Sequence, residues 1–379
     1  MSSENELPAA AWLRLEGSSD LGCTLEKFRG RVPGFFFKGT AMSHVFFGDS
    51  LTRAGGRWVI IFAASLPAGL AWAQAIWTGA TNQDWNTASN WSTSPANPSG
   101  NVTVNTATGN YPVVSANPTF TPVDIIVGGG GGTGQLDQTA GTLATGAGNW
   151  MSIGSAAGSE GAYNLGGSGS VSADRLLIGD TVGSGGAGVL TMNTSGTLTT
   201  TFFNSSQWWQ DAGLVLGPGA GSPATLNLQG GTINSTNVWV GAWGSTGTWN
   251  QTGGTANVTG VFSVGNYEDV QGLTTGVATV QNGAVNATNV YVGRGRFTVD
   301  EISAVLTVSG GGAVNSENDL FVGYAGANNT GTLNINNGGT VSVGSTTERW
   351  MAIGRFDTAN GQATITSGGT LNLNAGTDL

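Results

Sequence analysis

Along most of this chain, apolar residues alternate with polar or freely varying positions. The alternation restarts every 24 to 38 residues. The recurring unit is a tetrad, apolar-x-apolar-Gly. It reads IIVG ending at Gly128, MSIG at Gly154, LLIG at Gly179, LVLG at Gly217, VWVG at Gly241, FSVG at Gly265, VYVG at Gly293, LFVG at Gly323 and MAIG at Gly354. The first and third positions are apolar throughout, from Ile125/Val127 to Met351/Ile353. The middle one runs through Ile126, Ser152, Leu177, Val215, Trp239, Ser263, Tyr291, Phe321 and Ala352. Successive side chains on a strand point to opposite faces, so the constant pair belongs inside and the free site outside.

A second segment follows each tetrad, as in ATLNLQGGTINST, GTWNQTGGTANVT and GTLNINNGGTVSV. It holds two short alternating runs around a Gly-rich turn, so one repeat makes three short strands. No single repeat can bury its own apolar face, whereas stacked repeats bury a continuous core. The pattern therefore predicts an all-β fold, a right-handed parallel β-helix of about nine coils over 125–379. At ~4.8 Å per coil the rod is about 43 Å long. Propeller blades need 40 or more residues and four strands, and the calcium-binding G-G-x-G-x-D series is absent. Gln251, at an inward site, does not fit the pattern.

Composition sharpens this picture. Glycine is 65 of 379 residues, and 9% of residues are charged, against ordinary shares of ~7% and ~25%. Such a chain would read as disordered but for the regularly placed Val, Ile, Leu and Trp. From Ile76 onward there are 16 Asp/Glu and five Arg, a net charge of −11, which argues against nucleic acid as a partner. Cys23 and His44, the only residues of their types, lie before that point. The remainder can hold no disulfide, Cys/His zinc site, Ser-His-Asp triad or thiol nucleophile, and no cofactor is expected.

Residues 58–70, WVIIFAASLPAGL, follow Arg53 and Arg57 and precede AWAQA. A basic flank, a short apolar run and small-x-small sites at Ala71-Trp72-Ala73 and Ala73-Gln74-Ala75 read as a secretory signal. The run is short for a membrane span, and Pro67 interrupts it. The expected layout is a doubtful leader at 1–41, a signal peptide at 42–75, an N-terminal cap region at 76–124 and the repeats at 125–379. The mature chain is expected to be extracellular or at the bacterial cell surface, without a membrane span.

The segment IWTGATNQDWNTASNWS, with Trp77, Asp84, Trp85, Asn90 and Trp91, together with the xVG…G-T-L-x-I-x-x-G-G-T repeats, resembles the autotransporter/PEP-CTERM-associated repeat proteins of bacteria. The resemblance covers 76–379 and implies a β-helical surface or secreted passenger. It carries over no catalytic residue. The family's membrane barrel or sorting tail has no counterpart here. The chain stops at Asp378-Leu379, within a coil by analogy with Asp319-Leu320. A fragment is expected, its open last coil an edge for lateral or end-to-end self-association. In the cap region Trp77, Trp85 and Trp91 are expected to close the first coil.

Asn149, Asp174, Asn237, Asn289 and Asp319 precede tetrads. A metal site is one reading; stacked turn residues are the favoured one. Extra residues in long coils must leave as surface loops. Residues 199–213 add Phe202, Phe203, Trp208 and Trp209, 266–275 add Glu268 and Asp269, and 294–303 add Arg294, Arg296, Asp300 and Glu301. The last two loops should emerge at one corner, where Glu268, Asp269, Asp300 and Glu301 would supply the acid and base of a glycoside hydrolase or lyase. The other reading is a structural or adhesive module without catalysis, binding a glycan or a cell-surface partner. Its face would be Trp239, Tyr291 and Phe321, a row of exposed aromatics at ~4.8 Å spacing. Trp208 and Trp209 of the first insertion would either add to that face or cover it.

Overall fold

In the computed structural model the described residues are the strand pair 53–54 and 57–58, then 74–92, 100–179, 185–202, 212–266, 272–295, 301–326, 328–344, 349–356, 358–374 and 376–379. The chain divides into two compact units, Met1–Gly69 and Leu70–Leu379. In the first, Arg53–Ala54 pairs antiparallel with Arg57–Trp58; the leader 1–41 and the rest of the apolar run lie outside the described residues.

The second unit is a parallel β-solenoid with three faces. The tetrads form the first face. They pair in the order Val102–Val104, Ile125–Val127, Trp150–Ile153, Arg175–Ile178, Leu214–Leu216 and Val238–Ala242. The later halves of Thr255–Asn266 and Ala284–Arg294 follow, then Leu320–Tyr324 and Arg349–Ile353. Ile125 lies beside Met151, Met151 beside Leu176, and so on in the register of the sequence repeat, even across the 38-residue coil to Leu214. Val102–Val104 is a further rung below the first tetrad, within the segment assigned to the cap. That rung is unrecognisable by motif, because its VTV is followed by Asn105 and lacks the closing glycine.

The second face runs from Val113–Val114 through Thr133–Gln138 and Glu160–Gly167 to Asn360–Ile365. The third runs from Thr142–Ala144 through Ser170–Ala173 to Thr370–Leu373. Every pairing between coils is parallel, as the repeated strand polarity requires.

The constant tetrad pairs are buried in a single core, with one exception. Ile353 is 43% exposed, because among the described residues the strand beyond its rung, Thr377–Asp378, pairs with Arg349 and Trp350 and leaves Ile353 uncovered. Each of the nine tetrad glycines has positive φ, from 68° at Gly265 to 99° at Gly179. The closing glycine turns the corner in the left-handed region, where a side chain is strained. It also lies against the neighbouring coil: a Cβ at Gly241 would be 2.2 Å from the Thr275 carbonyl oxygen.

At the other end Trp77, Trp85, Trp91 and Phe120 interleave. Trp85 and Trp91 meet edge to face with centroids 4.8 Å apart, and Trp85 stacks on Phe120 at 5.8 Å. The three tryptophans are buried in the same core as Ala75, Val102 and Val114. Asn90, also buried, fixes this segment: its Oδ1 accepts from Thr81 N and Asn82 N, while Nδ2 donates to Asn82 Oδ1 and the Asp84 carbonyl.

Candidate functional site

The middle tetrad positions point away from the core, yet most are buried. Leu177, Val215 and Trp239 form a separate apolar cluster with Ala212, Ala242 and the flanking Trp243. Trp239 is 1% exposed and meets Trp243 edge to face at 5.2 Å. Phe321 is 2% exposed. The expected row of exposed aromatics is therefore corrected for Trp239 and Phe321; among the three, Tyr291 alone keeps intermediate exposure. The reason is a second layer of side chains outside the solenoid wall. Ala212, the last residue of the long insertion before Gly213, belongs to it. Trp208 and Trp209 lie outside the described residues.

Two coils beyond Trp239, the outer layer becomes an aromatic and arginine patch. Tyr291 and Phe321 are register neighbours, ring centroids 5.2 Å apart, close to one strand spacing. Tyr324 meets Tyr291, Phe321 and Phe356 at 5.2, 5.1 and 5.2 Å. The Arg294 guanidinium lies 5.0 Å from the Tyr291 ring. That of Arg355 lies 4.1 Å from the Trp350 ring, 4.5 Å from Phe321 and 4.7 Å from Phe356. Trp350 is 44% and Phe356 36% exposed. Burial raises the Tyr291 phenol above its ordinary pKa, opposed by nearby Arg294 and reinforced by Tyr324 and Asp319. Asp319 itself is tied to the backbone, accepting from Trp350 N at 3.0 Å.

Trp350, Tyr324, Arg355 and Phe356 were not singled out from sequence. The signal lay in columns flanking the tetrad: Trp350 precedes Met351, while Tyr324 and Arg355 each follow a tetrad glycine.

Asn266 and Arg294, at which the two acidic insertions begin, are register partners on adjacent coils. Glu301 opens the strand that follows and is exposed. Glu268, Asp269 and Asp300 lie outside the described residues. At this corner Arg294 Nη1 reaches Asn266 Oδ1 at 3.5 Å, both residues being buried.

The third face carries a groove of about 480 Å³ crossing five coils, lined by Asn257, Asn286, Asn315, Ser342, Glu317 and Asn374 among others. Its floor is an amide ladder: Asn257 donates to Asn234, Asn286 to Asn257 and Asn315 to Asn286, at 3.1, 3.0 and 2.9 Å. Each amide in such a stack keeps a second N–H and a second lone pair for solvent or ligand.

The Asn and Asp residues before the tetrads receive a structural explanation. The side-chain oxygens of Asn237, Asn289 and Asp319, and of Asp124 before the first tetrad, accept from the backbone N–H of the next coil, at Val261, Asp319, Trp350 and Trp150; Asp174 Oδ1 accepts instead from Thr201 Oγ1, and Asn149 makes no such bond among the described residues. Only an oxygen is needed, so the two residue types interchange. In the coil of Phe262 that position is held by Val261, and a Cβ on the preceding Gly260 would lie 2.2 Å from Asn237 Oδ1.

Fold and surface together define a three-faced parallel β-solenoid with a covered first face, an aromatic and arginine patch and an amide-lined groove. Comparison with protein-family models, curated proteins and solved structures gave no match.

Proposed function

We propose that this chain is an exported structural and adhesive module that binds a glycan through the outer layer of its first face. The observation that carries the reading is the patch of Tyr291, Tyr324, Trp350 and Phe356 around Arg355. Flat rings held at the coil spacing on a stiff wall suit the apolar faces of sugars, and partly exposed aromatics clustered on one surface are costly unless they bind something. Export is supported by the signal-like segment 42–75. The test is Tyr324→Ala, Trp350→Ala and Phe356→Ala combined, followed by glycan-array and cell-adhesion measurements. A folded variant that has lost binding is expected; unchanged binding removes the patch from the account.

The alternative, a polysaccharide-acting enzyme, is favoured by the register match of Asn266 and Arg294, at which the carboxylate-bearing insertions 266–275 and 294–303 begin. Release of oligosaccharides from any polysaccharide, abolished by Glu301→Gln or Glu268→Gln, would support it.

A further inference from the structure

We propose that Arg355 makes this patch selective for acidic glycans, specifically for a sugar bearing a carboxylate. The inference rests on the glycan-binding reading and adds the chemical class of ligand.

Charge distribution supplies the first argument. Of the five arginines after Ile76, four (Arg294, Arg296, Arg349 and Arg355) fall within 62 residues of one another, in a stretch that is otherwise part of a strongly acidic chain. Two of them, Arg294 and Arg355, lie against rings of the aromatic patch, while Arg296 lies outside the described residues.

The second argument is how Arg355 is held. Three rings, those of Trp350, Phe321 and Phe356, lie within 4.7 Å of its guanidinium carbon. Tyr324 is a fourth at 6.0 Å. Ring faces attract a guanidinium without using its N–H groups. The side chain is thereby fixed in place while its donor fork remains unspent. No carboxylate partner or side-chain hydrogen bond of Arg355 occurs among the described residues, and the residue is partly exposed, within reach of a ligand on the surface. The other arginines differ. Arg294 is buried and bonded to Asn266, and Arg175, although it too lies over a ring, has a buried Nε.

The third argument is complementarity. A planar guanidinium matches a carboxylate with two parallel N–H···O bonds. A side chain immobilised beforehand loses little rotamer freedom on binding. Beside it the exposed parts of Trp350 and Phe356 offer flat apolar surface for the sugar ring that carries the carboxylate. The net charge of −11 repels a densely charged polyanion at long range, so the fitting ligand has spaced carboxylates; a local, partly desolvated pair is screened by salt less than the long-range repulsion is.

The experiment is calorimetric titration of the protein with a hyaluronan hexasaccharide, which has one carboxylate per disaccharide, and with its carboxyl-reduced counterpart. The expected result is roughly tenfold or tighter binding of the acidic form. Arg355→Gln should bind both forms equally weakly, and Arg355→Lys should keep part of the preference. Thermal unfolding checks that each variant is folded; were Arg355→Gln unfolded, Arg355→Lys would carry the test, since it keeps the charge and loses the fork. Equal binding of both forms by the native protein would overturn the inference and leave glycan binding standing. Binding of neither hexasaccharide, with binding of neutral glycans on an array, would do the same. Binding of no glycan at all would overturn the underlying reading as well. A preference that survives in Arg355→Gln would place the carboxylate elsewhere.

Discussion

Two glutamines inside the solenoid show how single residues hold the coils in register. Gln138 and Gln251 occupy the same inward column of the second face, where other coils have Leu165, Met192, Leu228, Val280 and Val308. Each is buried. Gln138 Nε2 donates to the Gly141 and Ser170 carbonyls, at 2.8 and 2.9 Å; Gln251 Nε2 donates to those of Gly254 and Ala284, at 3.2 and 3.1 Å. In both cases one acceptor is three residues on, in the turn, and the other begins the third face of the next coil. The amide oxygens are used too, by Tyr163 Oη on Gln138 and Trp249 Nε1 on Gln251. Tyr163→Phe leaves Gln138 Oε1 without its donor in the core and should cost about 1–3 kcal/mol, measured by denaturant unfolding. Burial also pushes the Tyr163 phenol well above its ordinary pKa. A raised phenol pKa favours the neutral form in the folded state, so its contribution is complete below the unfolded value of about 10 and is lost as pH rises beyond it. In a spectrophotometric titration Tyr163 should stay silent until the protein unfolds. Gln251 was illegible in sequence because Ala284, one of its acceptors, lies 33 residues away in the next coil.

At the scale of the strand and its corner, the tetrad works through both its apolar pair and its glycine. Gly241→Ala forces a side chain to φ +78°, with its Cβ 2.2 Å from the Thr275 oxygen. Gly158 has φ +67° and nothing within 4 Å of a Cβ. Gly158→Ala should therefore cost about 1–2 kcal/mol for the left-handed conformation alone, and Gly241→Ala distinctly more. Equal losses in thermal unfolding would show that the corner does not pack on the next coil. The inner pairs were legible because their constraint is local and repeats. The fate of the outer middle positions was not: whether Trp239 is bare depends on Trp243 and Ala212, which lie outside the repeating motif. The same holds for Arg355, whose neighbours Phe321 and Trp350 sit in different columns of the repeat.

Over the whole molecule, ten first-face rungs from Val102–Val104 to Arg349–Ile353 stack on the aromatic cluster of Trp77, Trp85 and Trp91. Below them, Ala75 and Ile76 pair with Val102 and Thr103, Ala75 is buried, and Gln74 Nε2 donates to Thr103 Oγ1 at 2.6 Å. Of the two small-x-small sites, cleavage after Ala73 preserves this strand and cleavage after Ala75 removes half of it. On the proposed export, mass spectrometry of the processed chain should find Gln74 as the first residue; a chain beginning at Ile76 would show that the Ala75 pairing is dispensable. The central claim, that chain position converts to height along a rod coil by coil, can be measured directly, because residues 76–379 contain no cysteine. One column of the second face runs Asp137, Asn164, Thr191, Asn227, Asn250, Thr279, Thr307, Asn334. Spin labels on cysteines placed pairwise in this column should report distances by double electron–electron resonance of about 19 Å for 137 and 250, 24 Å for 164 and 307, and 34 Å for 137 and 334, a rise of ~4.8 Å per coil whatever its length. Distances that rise and then fall with coil number, as in a closed ring of blades, or that follow residue count instead, would contradict the solenoid.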